Sequence, residues 1–285
     1  MISIAKGSYK IGTDAKEGFE FDQEGPQITV ELPAFYIDAT TVTNQEFQEF
    51  VQDTNYVTDA EKFGSSFVFH YFLDEETKQI SKKINQLSWW FEVAGANWKH
   101  PAGPNSSIRE KMDHPVVQVS RNDAIAFSNW AGKRLPTEAE WEVAAKGGTD
   151  RERYPWGEDF LQNGTYHCNI WQGDFPLENE GLDGYMDTAP VQTYEPNLYG
   201  CYQMIGNVWE WCLNPARISL NEFNHYSANR FWKNFQRKDD QMYAIRGGSF
   251  LCHQSYCKRY RIAARNGNSG MSASNNLGFR CAKNG

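Results

Sequence analysis

Between about residues 150 and 242 the chain carries no apolar repeat long enough to build a helix; Gly, Pro, Asn, Asp and aromatic residues alternate instead. Loops of that extent inside a compact domain are uncommon, and where they occur they are functional or pinned by something such as a metal. A fold that accepts such a stretch must fill the gaps between turns with large rings. The composition supplies them: 10 Trp, 14 Tyr and 18 Phe among 285 residues, beside 23 Gly. So large an aromatic load excludes a disordered chain. The length suits one or two domains. With no linker-like segment and no internal repeat to divide it, one domain over 1–285 is expected, of α+β class with low regular secondary structure.

Three helices are expected from capping chemistry. Thr43 with Glu46 has the spacing of a capping box, followed by Phe47, Phe50 and Val51 on one helical face. Ser120 with Asp123 opens a second helix, running through Phe127 and Trp130 to Gly132. Thr137 with Glu140, directly after Leu135 and Pro136, opens a third that buries Trp141, Ala144 and Ala145 and ends at Gly147-Gly148. Short alternating stretches predict strands over Ile28–Leu32, 116–119, 243–246 and 277–281.

A net charge of −8, from 28 basic and 36 acidic residues, argues against nucleic-acid binding through a global basic field, and no repeated aromatic-plus-basic strand supports it either. No apolar run approaches the ~18 residues of a membrane span. The first residues lack the charged-then-apolar layout of a secretory signal.

Six cysteines stand at 168, 201, 212, 252, 257 and 281. They do not read as a disulfide framework, since a chain this long can build a core without one; Cys201 and Cys212 facing each other across a short hairpin is left open. Cys252 and Cys257, five positions apart after a Gly-Gly turn, can approach one metal or each other. Zinc wants four N/S ligands, and nothing nearby completes the set. A disulfide is geometrically reasonable. The third reading is a two-thiolate site for a soft ion, for which Cu(I) is best suited. Lys258, Arg259, Arg261 and Arg265 follow; any that point inward would favour thiolate, and ordinary pairing with acids is expected for at least two. His70, His100, His114, His167 and His225 show no ligand spacing. Only His253, between the paired cysteines, has a positional reason to matter.

The run Gly247-Gly-Ser-Phe-Leu-Cys-His-Gln-Ser-Tyr-Cys-Lys-Arg-Tyr-Arg261, with Ala263-Ala-Arg265 and Ser274-Asn-Asn-Leu-Gly-Phe-Arg-Cys281 behind it, resembles the formylglycine-generating, or sulfatase-modifying factor, family. So do Ala34-Phe-Tyr-Ile-Asp38, Val42-Thr-Asn44, Ala60-Glu-Lys-Phe-Gly64, Gly95-Ala-Asn-Trp98, 130–142, Pro155-Trp-Gly157, Asn169-Ile-Trp-Gln-Gly173 and Gly206-Asn-Val-Trp-Glu-Trp211, so the resemblance covers essentially the whole chain. It implies a C-type-lectin-like variant fold. The implied activity is a copper-dependent oxidase that uses O2 to convert the cysteine of a Cys-x-Pro-x-Arg segment in unfolded sulfatases into Cα-formylglycine. Carried over residue by residue, Cys252 and Cys257 would hold Cu(I), Ser249 would line the site, and Trp209, His253, Tyr256 and Asn276 would meet the substrate.

By the same resemblance, Asn169, the Ile170 carbonyl, Asp183 and the Tyr185 carbonyl would ligate a structural Ca²⁺, whose preference for hard oxygen donors they meet. A second calcium set would map to Gln203, Gly206, Val208 and Glu210, where Gln203 stands in place of the family's Asn. Turn chemistry is the alternative for both clusters. The secreted animal members pair cysteines of the 130–142 helix region with others near the C-terminal tail. Here those positions read Ser128, Ala145 and Ile262, which points to a reducing, cytoplasmic, prokaryotic-type enzyme; a secreted form with its leader removed stays open. Two other functions stay open: a non-catalytic, calcium-containing lectin-like module, and a copper oxidase acting on cysteine in another peptide.

Overall fold

The computed structural model describes residues 1–85, 87–150, 153–225 and 242–285. Parts of the helix-poor stretch, 151–152 and 226–241, and the side chain of His225 lie outside the described residues. In chain order the first elements are β1 (Ile2–Ile4), β2 (Gly7–Ile11), β3 (Ile28–Leu32), β4 (Phe35–Ile37), α1 (Asn44–Thr54) and α2 (Asp59–Phe63). Next come β5 (Ser65–Phe69), α3 (Glu75–Ile80), β6 (Lys82–Ile84), β7 (Leu87–Ala94), α4 (Arg121–Trp130) and α5 (Glu138–Lys146). The last are β8 (Trp209–Pro215), α6 (Glu222–His225), β9 (Met242–Arg246), β10 (Asn266–Ser269), β11 (Leu277–Gly278) and β12 (Ala282–Asn284). The strands form four small sheets, in the orders β1-β4-β12, β2-β3, β5-β7-β6 and β10-β9-β8-β11. The class is α+β with modest regular structure, as expected.

The three expected helices form where their caps stand. Thr43 accepts from the Glu46 amide at 3.1 Å while Glu46 accepts from the Thr43 amide at 2.8 Å, and Ser120/Asp123 and Thr137/Glu140 make the same reciprocal box. A fourth box, Thr58/Glu61, opens α2 and carried the same signal in the sequence. Because each box satisfies two otherwise orphaned amides, Thr137→Ala is expected to lower unfolding free energy by about 1 kcal/mol. The check is a urea titration, with a shifted midpoint and an unchanged slope.

The core is aromatic, as the composition demands. Phe47 of α1 stacks on Phe127 of α4 at 5.9 Å between centroids and meets Trp98 edge-on at 5.3 Å. A satellite cluster of Phe69, Trp171, Phe250 and Leu251, with Trp89, Trp90 and Phe175 packed on it, underlies the segment that carries the thiol pair. Helix α5 is buried on every side, its acids included. Glu138 meets Arg265 at 2.7 Å, Glu142 meets Arg246 at 2.7 Å, and Glu140 meets Arg134 at 2.7 Å. Buried charge is tolerable only when paired in this way.

Two expected strands require correction. Residues 116–119 are all buried but form no strand, because Gln118 sits at φ +60 and its left-handed backbone breaks the extended run. The 277–281 stretch is a strand only over Leu277–Gly278, which runs parallel to Trp209–Glu210. Phe279 and Cys281 then turn their carbonyls to the amides of Val42 and Asp38, before β12 pairs with β4. The expected 243–246 strand forms one residue longer, as β9.

Candidate active site

The site is built from the end of β9. Arg246 is fully buried and fixed by Glu142 and Glu138. Gly247 follows at φ +94, where a Cβ would lie 2.8 Å from the Met204 carbonyl oxygen, so only glycine fits the sharp exit. Tight turns then coil the chain: the Cys252 amide donates to the Ser249 carbonyl at 2.8 Å, and the Cys257 amide to the His253 carbonyl at 2.7 Å. The coil brings the Cys252 and Cys257 sulfurs to 2.9 Å from each other, both buried.

The two sulfurs are free thiols, as are the other four cysteines, so the pairing of Cys201 with Cys212 does not form. Among the described residues no group of three or more His, Cys, Asp and Glu side chains is placed to hold a metal, which leaves the zinc reading without its remaining ligands. The thiols differ electrostatically. Burial, and then the neighbouring sulfur, push Cys252 well above the ordinary thiol value. Cys257 is held below it, first by the hydrogen bond from Cys252 and then, against burial, by the backbone amide and guanidinium of Arg259. Of the two sulfurs, Cys257 is therefore the one more readily deprotonated.

The pair forms one wall of a cleft of about 370 Å³ that Ser249, Trp209, Tyr256 and Asn276 also line. Ser249 Oγ accepts from Asn276 Nδ2 at 2.9 Å, while Asn276 Oδ1 accepts from Ser274 Oγ at 2.8 Å. The Ser249 amide donates to the Cys252 sulfur at 3.4 Å. Tyr256 stacks flat on Phe175 at 4.8 Å and meets Trp89 edge-on at 5.1 Å. His253 is not among the lining residues: its ring stacks over Phe175 at 6.3 Å and its Nδ1 pairs with Ser255 Oγ at 2.8 Å.

Sequence reasoning missed the facing wall, made by Phe67, Phe69 and Trp90 of β5 and β7, where Phe69 pairs with Trp90 across the ladder. The short β-branched and aromatic run Phe67-Val68-Phe69 was its local signal, because the pairing itself is non-local. Of the basic residues after Cys257, three pair with acids, Arg259 with Asp22, Arg261 with Glu24 and Arg265 with Glu138, which meets the expected pairing of at least two of the four. Lys258 is exposed, and Arg259 lines the cleft.

The first oxygen-rich set is brought together. Asp183 Oδ2 accepts from the Ile170 amide at 2.9 Å and Oδ1 from the Tyr185 amide at 3.0 Å, while Gln172 donates to both Asp183 and the Ile170 carbonyl. Asn169 Oδ1 is buried without a partner, and burial pushes the Asp183 carboxyl up despite these donors. In the second set Glu210 is fully engaged, by Arg280 at 2.6 and 2.8 Å and by Trp141 Nε1 at 2.8 Å. That set therefore offers only backbone carbonyls and Gln203 Oε1, a buried oxygen without a partner. Cys281 lies 3.3 Å from Ser128 Oγ, so the helix-to-tail bridge expected of the secreted relatives has serine at the opposing position here.

A family model described as the sulfatase-modifying factor enzyme 1-like domain matches residues 1–285. A protein named formylglycine-generating enzyme, from Thermomonospora curvata, is 48% identical over 99% of this chain and 92% of its own length. A protein from Bos taurus named inactive C-alpha-formylglycine-generating enzyme 2 is 42% identical, over 99% of this chain and 87% of its own. Among solved structures, PvdO from Pseudomonas aeruginosa aligns with a TM-score of 0.68 at 22% identity, covering 99% of this chain and 93% of that one, a likeness of fold.

Proposed function

The chain belongs to the sulfatase-modifying factor family, and from that premise we propose that it matures sulfatases by converting a cysteine of the unfolded polypeptide into Cα-formylglycine. The observation that carries the reading is the pair of buried thiols, 2.9 Å apart on the wall of an open cleft. Family membership alone would not carry it, since a relative as similar as 42% bears the name of an inactive enzyme.

The residues present fit Cu(I). Two soft sulfurs converge, one of them with its thiol value lowered, and among the described residues no third His, Cys, Asp or Glu closes the site against a substrate thiol. Bound there, Cu(I) would supply the one-electron chemistry with O2 that amino-acid side chains lack. Cys252 and Cys257 would hold the ion, and both must be deprotonated to act as thiolates. The Ser274–Asn276–Ser249 chain fixes the polar wall beside Cys252. Phe67, Phe69, Trp90 and Trp209 give the cleft apolar surface, while Arg259, Asn266, Asn268 and Ser272 add polar groups to its lining.

The substrate reading, Cys-x-Pro-x-Arg, is tested with peptides. Conversion of such a peptide should fall when either its Pro or its Arg is replaced by Ala, read as the yield of carbonyl-reactive product. Equal conversion of all three would favour an oxidase acting on cysteine in another context.

The orphaned Asn169 oxygen and the half-buried Asp183 carboxylate support a structural Ca²⁺ held with the Ile170 and Tyr185 carbonyls. Calcium at about 100 times its dissociation constant should stabilise the fold by about 2.7 kcal/mol. At about 2–4 °C per kcal/mol for a domain near this size, that is a rise of several degrees in Tm. Asp183→Asn should abolish the calcium-dependent rise, and a rise that persists in the variant would place the ion elsewhere.

A further inference from the structure

Three consecutive residues near the start of the chain each hold one of the arginines that follow the thiol pair. Asp22 Oδ2 accepts from Arg259 Nε at 2.5 Å. The Gln23 carbonyl accepts from Arg265 Nη1 at 3.1 Å, and Glu24 takes Arg261 through both oxygens at 2.7 and 2.8 Å. Of these arginines only Arg259 lines the cleft with Cys257, and its guanidinium and backbone amide favour the charged form of that sulfur.

Asp22 is fully buried, and its second oxygen has no hydrogen-bond partner; the nearest cation to it is Arg217, at 4.0 Å. The flanking rings complete a clamp. Phe19 lies under the Arg259 guanidinium at 4.3 Å and Phe21 under that of Arg217 at 4.0 Å, stacking that suits a planar, weakly hydrated cation. Merely tying the two segments together does not call for this device, because Glu24 and Arg261 already do so beside it. A buried carboxylate with one unsatisfied oxygen costs stability, and what it achieves is a fixed place for one guanidinium.

We propose that Asp22 is a positioning residue of the thiol site: it holds Arg259 against Cys257 so that the guanidinium offsets the negative charge of two thiolates sharing one Cu(I). The proposal rests on the copper reading above. Two thiolates and Cu(I) together carry one excess negative charge in a buried place. Arg259 neutralises it, and Asp22 with Arg217 adds nothing net, so the whole cluster is electrically balanced. Partners of metal ligands at this remove commonly set affinity by 10- to 100-fold.

The test is the Cu(I) affinity of the full chain, measured anaerobically by competition with a chromophoric Cu(I) chelator. Asp22→Asn and Arg259→Met are each expected to weaken binding by at least about tenfold. Because Asp22 acts through Arg259, adding Asp22→Asn to Arg259→Met should weaken it no further. Glu24→Gln, which breaks the neighbouring clamp, should lower Tm and leave the affinity unchanged. Wild-type affinity in folded Asp22→Asn would overturn the proposal, as would full additivity of the two substitutions. If Asp22→Asn does not fold, Arg259→Met reads the same contact, and an unchanged affinity there is equally decisive. A wild-type protein that binds no Cu(I), or binds it as well after Cys257→Ser, would instead remove the copper reading on which the proposal stands.

Discussion

Cys252→Ser and Cys257→Ser are each expected to lower kcat/KM for formylglycine formation by more than the roughly 100-fold that changes around a metal site cost, because each removes a ligand rather than a ligand's partner. Serine keeps the size and the hydrogen bond but offers a hard oxygen in place of a soft sulfur. Both positions are buried in a coil closed by backbone hydrogen bonds, with the Cys252 amide on Ser249 and the Cys257 amide on His253, so either variant should keep its fold. Near-wild-type Tm with activity lost is the expected pair of results. By contrast Ser249→Ala removes the oxygen that accepts from Asn276 and leaves both sulfurs in place, and a partial loss is expected. Full activity in either cysteine variant would mean that the thiol pair is not the reacting centre.

The second large effect is on stability and lies at Glu138. Its carboxylate, 1% exposed, takes Arg265 at 2.7 and 3.0 Å, Arg246 at 3.3 Å and Asn214 Nδ2 at 2.8 Å. Burial pulls its carboxyl up, but Arg265 and then Arg246 outweigh it, so the folded-state value lies below the ordinary one. Glu138→Gln would leave Arg265 buried without its carboxylate and take one of two from Arg246. Breaking a buried pair from one side costs about 3–5 kcal/mol, so Tm should fall by about 10 °C. A carboxyl depressed on folding stabilises the protein above its unfolded-state value, and that contribution is lost as pH falls through the lower folded-state value. The gap in stability between wild type and Glu138→Gln should therefore be full at neutral pH and narrow on acidification below about 4.5. A gap that stays constant with pH would show that lost packing, not lost charge, is responsible. Since Arg246 anchors the exit into Gly247 and the thiol coil, some activity should go with the stability.

What the sequence revealed followed the range of the interactions involved. The helices at 43–54, 120–130 and 137–146 were legible because a capping box is complete within four residues. The thiol pair was legible because five positions of coil suffice to close it. The 116–119 strand misread the chain because alternation of side chains says nothing of one left-handed residue at Gln118. The wall of Phe67, Phe69 and Trp90 was hidden because a ladder between β5 and β7 is a non-local pairing of two short, weakly patterned stretches. Asp22 was beyond reach, since its partner Arg259 lies 237 positions away and nothing local marks it. The aromatic excess told what kind of core to expect and not where the rings would meet.

The measurement that bears most directly on the proposed activity is a turnover assay with the Cu(I)-loaded protein, a Cys-x-Pro-x-Arg peptide, O2 and a reductant, followed by carbonyl capture and mass spectrometry. The expected result is an aldehyde at the cysteine position of the peptide, formed only when copper and oxygen are both present and lost in Cys252→Ser and Cys257→Ser. A protein with copper bound at the thiol pair that leaves the peptide cysteine unchanged would contradict it.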